Sequence, residues 1–137
     1  MDIRVYYEDT DSGGVVYYAN YLRFFERGRT EHLRERGISV VDYNALGILF
    51  VVAHIEVAYR APARLDDLLN LETRIVDLSR TTFTYSQRIY RKETGQLLVD
   101  ARVRAACIDA RGKPRRLPDE VRSVVEEEVR RYRETTL

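Results

Sequence analysis

Between Leu97 and Cys107 the chain alternates without a break: Leu97, Val99, Ala101, Val103, Ala105 and Cys107 fall on one side, and Asp100, Arg102 and Arg104 on the other. Successive side chains of a strand point to opposite faces, so this segment has one buried and one solvated face. The buried row consists mostly of small residues, which leaves room for a helix to lie against it. Such a strand belongs in an antiparallel sheet that carries helices on one face and meets water on the other.

The helix that fits this face runs from Tyr18 to Arg36, where the apolar period lengthens to a helical one through Tyr18, Tyr21, Leu22, Phe25, Gly28 or Arg29, His32 and Leu33. Gly37 is placed to end it. Gly28 costs about 1 kcal/mol in helix propensity, and its place on or beside the apolar stripe implies that another backbone packs closely there. This helix should be largely enclosed.

Other segments supply the remaining layers. Ile3, Val5 and Tyr7 alternate with Arg4, Tyr6 and Glu8, as in a half-buried first strand, and Ser39 to Leu46 suits a short connecting helix closed by Gly47. From Phe50 to Arg60, Val51, Ala53, Ile55, Val57 and Tyr59 form one apolar row, predicting a long strand with that face buried. Ala61-Pro62-Ala63 breaks the ladder and Asp66-Asp67 turns the chain. A strand from Leu69 to Leu78 places Leu69, Leu71 and Ile75 on one face and Val76 and Leu78 on the other. Phe83, Tyr85, Gln87 and Ile89 mark a further strand, joined by a turn at Glu93-Thr94-Gly95 to the strand that starts at Leu97. After Pro118-Asp119-Glu120, Val121, Val124, Val125, Val129 and Tyr132 give a terminal helix its stripe. The order predicts an α+β fold, a curved antiparallel sheet wrapped around the long helix.

A chain of 137 residues is expected to form one domain over residues 1–137 and to bury about two thirds of its unfolded surface. Its 23 basic and 22 acidic side chains leave a formal charge of +1, so no global field draws nucleic acid or an anionic membrane. Cys107 is the only cysteine, which excludes an intrachain disulfide and a cysteine zinc cluster and fits a reducing, cytoplasmic setting. The N-terminus shows no signal-peptide pattern, and the longest apolar run, Ile48 to Ala53, is far too short to span a bilayer.

Chemistry concentrates before the long helix. Glu8-Asp9-Thr10-Asp11 is followed by Ser12-Gly13-Gly14, which brings a carboxylate beside backbone free to turn sharply or approach a ligand. Asn20 is a cap or first-turn residue, or a contact near a substrate, and the free N–H groups of the helix start should point back towards the loop. Asp9 reads as an acceptor bracing the loop, and Glu26 as an ion-pair residue. His32 and His54 are too few for a metal site or triad, and Cys107 is a small buried hydrophobe. Arg80 with Thr82, and the basic run Arg111 to Arg116, are either solvated turns or contacts for phosphate.

The run VYYEDTDSGGVVYYANYLRFFERGRTEHL, with YRAPARLDD (Tyr59 to Asp67) and SQRIY (Ser86 to Tyr90), resembles the hotdog-fold acyl-CoA thioesterases. The YbgC-type, Tol-Pal-associated branch and the 4-hydroxybenzoyl-CoA thioesterases are the most similar, and the likeness spans nearly the whole chain, least in the terminal helix. The resemblance implies acyl-CoA as substrate with no cofactor, a homodimer joining sheets edge to edge, often a dimer of dimers, and sites at the subunit interface. Tol-Pal association belongs to the family's usual context. The family's catalytic carboxylate falls on Asp11 and its oxyanion donor on the backbone N–H of Tyr18; Gly13, Gly14 and Asn20 adjoin the acyl carbonyl, and Arg80 and Thr82 match a coenzyme A contact. Many YbgC-type members carry His where this chain has Tyr18, and the hydroxybenzoyl branch carries Tyr, so aliphatic and aromatic acyl groups both stay open.

Thioesters need little machinery. The thiol of coenzyme A leaves as thiolate, its pKa being about 8.5 by analogy with cysteine, so neither a strong general acid nor a triad histidine is required. A group that delivers or activates oxygen and a pole for the oxyanion suffice. Whether Asp11 attacks directly or deprotonates water stays open. The alternatives are a hotdog dehydratase, which wants a histidine near the helix start where this chain has none, and a non-catalytic acyl-CoA-binding or envelope-complex scaffold.

Overall fold

The structure, a computed structural model, describes residues 1–136. Five strands, β1 (Asp2–Arg4), β2 (Leu49–Tyr59), β3 (Leu68–Leu78), β4 (Thr82–Arg91) and β5 (Leu97–Ile108), form one antiparallel sheet in the order β1-β3-β4-β5-β2. The helices are α1 (Asn20–Glu35), α2 (Val40–Ala45) and α3 (Asp119–Thr135). This is the α+β hotdog arrangement, with α1 held against the sheet. No helix is long and apolar enough to cross a membrane among the described residues.

α1 buries Tyr21, Phe24, Phe25, Gly28, His32 and Leu33, a stripe at helical spacing, against the inward rows of β3, β4 and β5. A Cβ at Gly28 would stand 2.4 Å from Leu71 Cδ2 and 3.0 Å from Thr73 Oγ1 and Gln87 Nε2, so the glycine marks the point of closest approach to the sheet. Gln87, fully buried, donates its amide to the helix carbonyl of Phe25 (2.9 Å) and to Thr73 Oγ1 (3.1 Å), and accepts from Arg29 Nη1 (3.1 Å). A buried amide costs little when every group is bonded and much when one is not. Gly28 and Gln87 together therefore fix the height of α1 over the sheet. Gly28→Ala is expected to destabilise the fold by about 1–3 kcal/mol, overpacking outweighing the gain in helix propensity. A fall in the denaturation midpoint at unchanged m-value would register it.

Several expectations are corrected. The first strand ends at Arg4, because the chain leaves β3 there: Val5 N–H donates to Asp67 C=O (2.9 Å) and residues Tyr7–Asp9 coil into a short 3-10 turn. A bulge between Ile75 and Asp77 places an extra residue, Val76, in β3, and Leu78, opposite Phe83, rejoins the inward face. A second bulge between Val52 and His54 splits the apolar row of β2: Phe50 and Val52 stand opposite Cys107 and Ala105, whereas Ile55, Val57 and Tyr59 stand opposite Val103, Ala101 and Val99. That face is not buried, since β2 is an edge strand; Val52 and Tyr59 are each 48% exposed.

The other side of the sheet ends differently. β1 pairs with β3 only over Leu68–Asn70, and α3 packs against β3. Its Val121, Val125 and Val129 join the core, and its Glu128 accepts from His32 Nε2 (2.8 Å) and pairs with Arg36, the residue that follows α1. Burial pushes the Glu128 carboxyl up, but the bonds from His32 and Arg36 outweigh it and hold the group below its ordinary value.

Candidate active site

The acidic loop is a small hairpin. Thr10 and Val16 form an antiparallel bridge, Asp11 N–H donates to Val15 C=O (2.9 Å), and Gly14 N–H returns to Asp11 C=O (3.2 Å). Gly14 has φ 76°, a conformation that requires a residue without a Cβ or a tolerant one. Asp11 opens the turn, its Oδ1 accepting from Gly13 N–H at 2.8 Å, as short polar side chains do at this position. The other carboxylate oxygen has no partner among the described residues, and Asp11 is exposed. A Cβ at Gly13 would stand 3.2 Å from Asp11 Oδ1, so the glycine keeps the carboxylate uncrowded.

Beneath the hairpin lies the segment that joins β2 to β3. Val16 N–H donates to Ala63 C=O (2.8 Å), Val15 bridges to Arg64, and Leu65 N–H donates to Gly14 C=O (3.2 Å). Arg91 holds this floor through Asp67 Oδ2 (3.2 Å) and Pro62 C=O (2.9 Å). The YRAPARLDD stretch thus supports the acidic hairpin, and the two motifs form one structural unit.

The hairpin leads directly into α1. Tyr17 N–H donates to Asp9 C=O (3.0 Å), and Asn20 N–H donates to Tyr17 C=O (2.8 Å). The Tyr17–Tyr18 peptide is therefore anchored on its carbonyl side, and its N–H, that of Tyr18, meets no acceptor among the described residues. The first turn of α1 carries no acidic residue to offset the helix dipole. A free amide at a positive helix terminus, one short hairpin away from a carboxylate, is an arrangement that can stabilise an oxyanion beside an oxygen nucleophile or base.

Three tyrosines wall this point. Tyr59 donates its hydroxyl to Tyr18 C=O (3.2 Å) and its ring lies 6.4 Å from that of Tyr18 and 5.6 Å from that of Tyr21. Tyr21, whose phenol burial pushes up, stays protonated and accepts from Ala63 N–H (3.0 Å). In the sequence Tyr59 is only one more inward residue of a strand; nothing in its local pattern signals the hydroxyl's partner, which lies 41 positions away.

Other candidates fall elsewhere. Asn20 is buried and its side-chain amide donates to Asp9 Oδ1 (2.8 Å), so it faces the loop rather than the exterior. Thr82 begins β4 and Arg80 lies in the turn just before it, whereas Arg91, which holds the floor of the hairpin, ends it. Nine residue steps of strand put them roughly 30 Å apart, so a single chain does not bring Arg80 and Thr82 to Asp11. Thr82 Oγ1 is bonded to Ser79 Oγ (2.7 Å). Cys107 is buried, which pushes its thiol up and keeps it protonated. His32 is bonded to Glu128 and His54 to Glu56 (3.2 Å) on the outer face of β2. Glu26 makes no ion pair among the described residues; it lies with Arg29, Leu33, Phe50, Val52 and Phe83 along a cleft of about 380 Å³ between α1 and the open side of β2.

An antiparallel sheet packed on one long helix is the hotdog arrangement shared by the thioesterases to which this chain is similar. The chain belongs to the thioesterase-like superfamily, whose family model matches residues 5–125. Over 120 residues it is 47% identical to the acyl-CoA thioester hydrolase YbgC of Escherichia coli O157:H7, an alignment covering 87% of this chain and 89% of that protein. The crystal structure of a probable thioesterase from Bartonella henselae, 46% identical, superposes with a TM-score of 0.80 over 86% of this chain and 97% of that one. Slr0204 of Synechocystis, a 1,4-dihydroxy-2-naphthoyl-CoA thioesterase, is 26% identical with a TM-score of 0.87, covering 93% and 94%.

Proposed function

We propose that this enzyme hydrolyses acyl-CoA thioesters to the free acid and coenzyme A, with Asp11 as the carboxylate that delivers or activates oxygen and the Tyr18 N–H as the oxyanion donor. The observation that carries this reading is the unbonded Tyr18 amide in the turn two residues before α1, joined to Asp11 by one hairpin. As the carbonyl carbon becomes tetrahedral, negative charge on its oxygen meets the amide and the helix terminus; collapse then expels the coenzyme A thiolate without a proton donor. Gly13 and Gly14 let the thioester approach the carboxylate closely.

The reading includes a homodimer. β2 presents an unpaired edge with Val52, Ile55 and Tyr59 exposed. Antiparallel pairing of two such edges about a two-fold axis lays the Tyr59 end of one β2 beside the Leu49 end of the other. Arg80 and Thr82 belong to that Leu49 end, since Thr82 pairs with Ala106 and Ala106 with Val51. The partner's Arg80 would then approach the site whose Asp11 lies in the first chain. Arg80, Arg115 and Arg116 form no ion pair among the described residues, and Leu117 N–H donates to Arg80 C=O (3.1 Å), so the three cluster as a rim suited to nucleotide phosphates.

Thiol release from acetyl-, hexanoyl- and benzoyl-CoA tests the proposal and sorts aliphatic from aromatic preference. Turnover of at least one of these is expected; tight acyl-CoA binding without thiol release from any would favour a binding scaffold instead.

A further inference from the structure

Asp9 makes more contacts than a solvated loop residue needs. Its Oδ1 accepts from Asn20 Nδ2 (2.8 Å), its Oδ2 from Tyr6 N–H (2.8 Å) and its carbonyl from Tyr17 N–H (3.0 Å). The three donors belong to the chain leaving β1, the residue before Tyr18, and the first residue of α1. The Asp9–Asn20 bond is the one side-chain hydrogen bond joining residues 6–16 to α1 among the described residues, and Asn20 itself is buried. Asp11 follows Asp9 by two residues and Tyr18 follows Tyr17 by one, so both proposed poles of the site are short covalent extensions of the same clasp.

We infer that the Asp9–Asn20 pair is a positioning strut that sets the separation of the Asp11 carboxylate from the Tyr18 amide without itself touching the substrate. The inference rests on the proposed roles of Asp11 and Tyr18. A strut and a second reacting acid make opposite demands at position 9. For a strut, asparagine suffices: its Oδ1 accepts from Tyr6 N–H while its Nδ2 donates to Asn20, whose amide turns over to offer oxygen. For a reacting acid, asparagine is as inert as alanine.

The test compares Asp9→Ala, Asp9→Asn and Asn20→Ala in the full chain by two readouts, steady-state thioester hydrolysis and amide hydrogen exchange at Tyr17 and Tyr18. Asp9→Ala is expected to lower kcat by about 10- to 100-fold with KM little changed, as for a misplacement of the order of an ångström. It should also speed exchange at Tyr17. Asp9→Asn should stay within about five-fold of the parent, and the double variant Asp9→Ala with Asn20→Ala should be no worse than Asp9→Ala, since both cut one interaction. Should Asp9→Ala fail to fold, Asn20→Ala reads the same two quantities with only one bond removed. Asp9→Asn as inactive as Asp9→Ala at unchanged exchange would overturn the strut in favour of a reacting carboxylate. Parental kcat and exchange in the alanine variants would overturn it altogether. A parent enzyme that releases no thiol defeats the proposed function instead, and the exchange data then decide the strut alone.

Discussion

Asp11→Asn is expected to lower kcat for acyl-CoA hydrolysis by about 10³-fold, within the range attributed to a positioned base or nucleophile. The substitution is nearly isosteric and retains an oxygen to accept from Gly13 N–H, so the turn that begins at Asp11 survives. The site is exposed, and folding stability should move by no more than about 0.5 kcal/mol. The capacity to attack carbon or to take a proton from water disappears. The two imidazoles are bonded to Glu128 and Glu56 and Cys107 is buried, and of the loop's other carboxylates Asp9 already accepts from Asn20 Nδ2 and Tyr6 N–H. Steady-state kinetics with thiol detection settle the point, and an Asp11→Asn enzyme as fast as the parent removes Asp11 from the mechanism. A lowered kcat at unchanged KM would further mark the carboxylate as acting in the transition state rather than in binding.

Co-expression of two crippled chains should restore activity if the site is shared. Asp11→Asn removes the chemistry, and Arg80→Glu replaces a cation suited to phosphate by a like charge; each homodimer would have two defective sites. In a mixed dimer both lesions fall in one site and the other combines an intact Asp11 with the partner's Arg80. Random pairing makes half the dimers mixed, so roughly a quarter of parental activity should return under the two-fold symmetry proposed. The basis is the roughly 30 Å of strand that separates the two ends of β4 within a chain. If Arg80 instead serves the site of its own chain, the mixture shows only the mean of its parents.

Much of the fold is legible without coordinates because periodicity reports burial. The rows of β4 and of β5 from Val99 onward stand where alternation puts them, although an irregularity between Ile89 and Tyr90 buries Leu98 in place of Leu97, and Gly28 on the stripe of α1 does mark a tight approach. Phase is less legible. The extra residues at Ala53 and Val76 reverse the inside and outside of the strand beyond them, and a bulge is an event of pairing between strands, invisible in either strand alone. The exposure of β2 is hidden for a related reason: an apolar row shows that a face prefers cover, not that its own chain supplies it. Within the site, the acidic hairpin could be recognised, but the Asp9–Asn20 bond, the Tyr59 hydroxyl on Tyr18 C=O and the buried Gln87 on Phe25 C=O join segments that only tertiary folding brings together.

The two margins of the sheet are unequal, and that inequality sets the valence of the chain as a building unit. A sheet with two open margins is a divalent monomer, and divalent monomers grow into chains and fibres. Here one margin is blunted: β1 is only three residues long and α3 packs against the strand it leaves unpaired. In the proposed homodimer, β2 is the one strand free to pair along its length, so edge-to-edge growth would end after a single step, with α3 in effect a chain stopper.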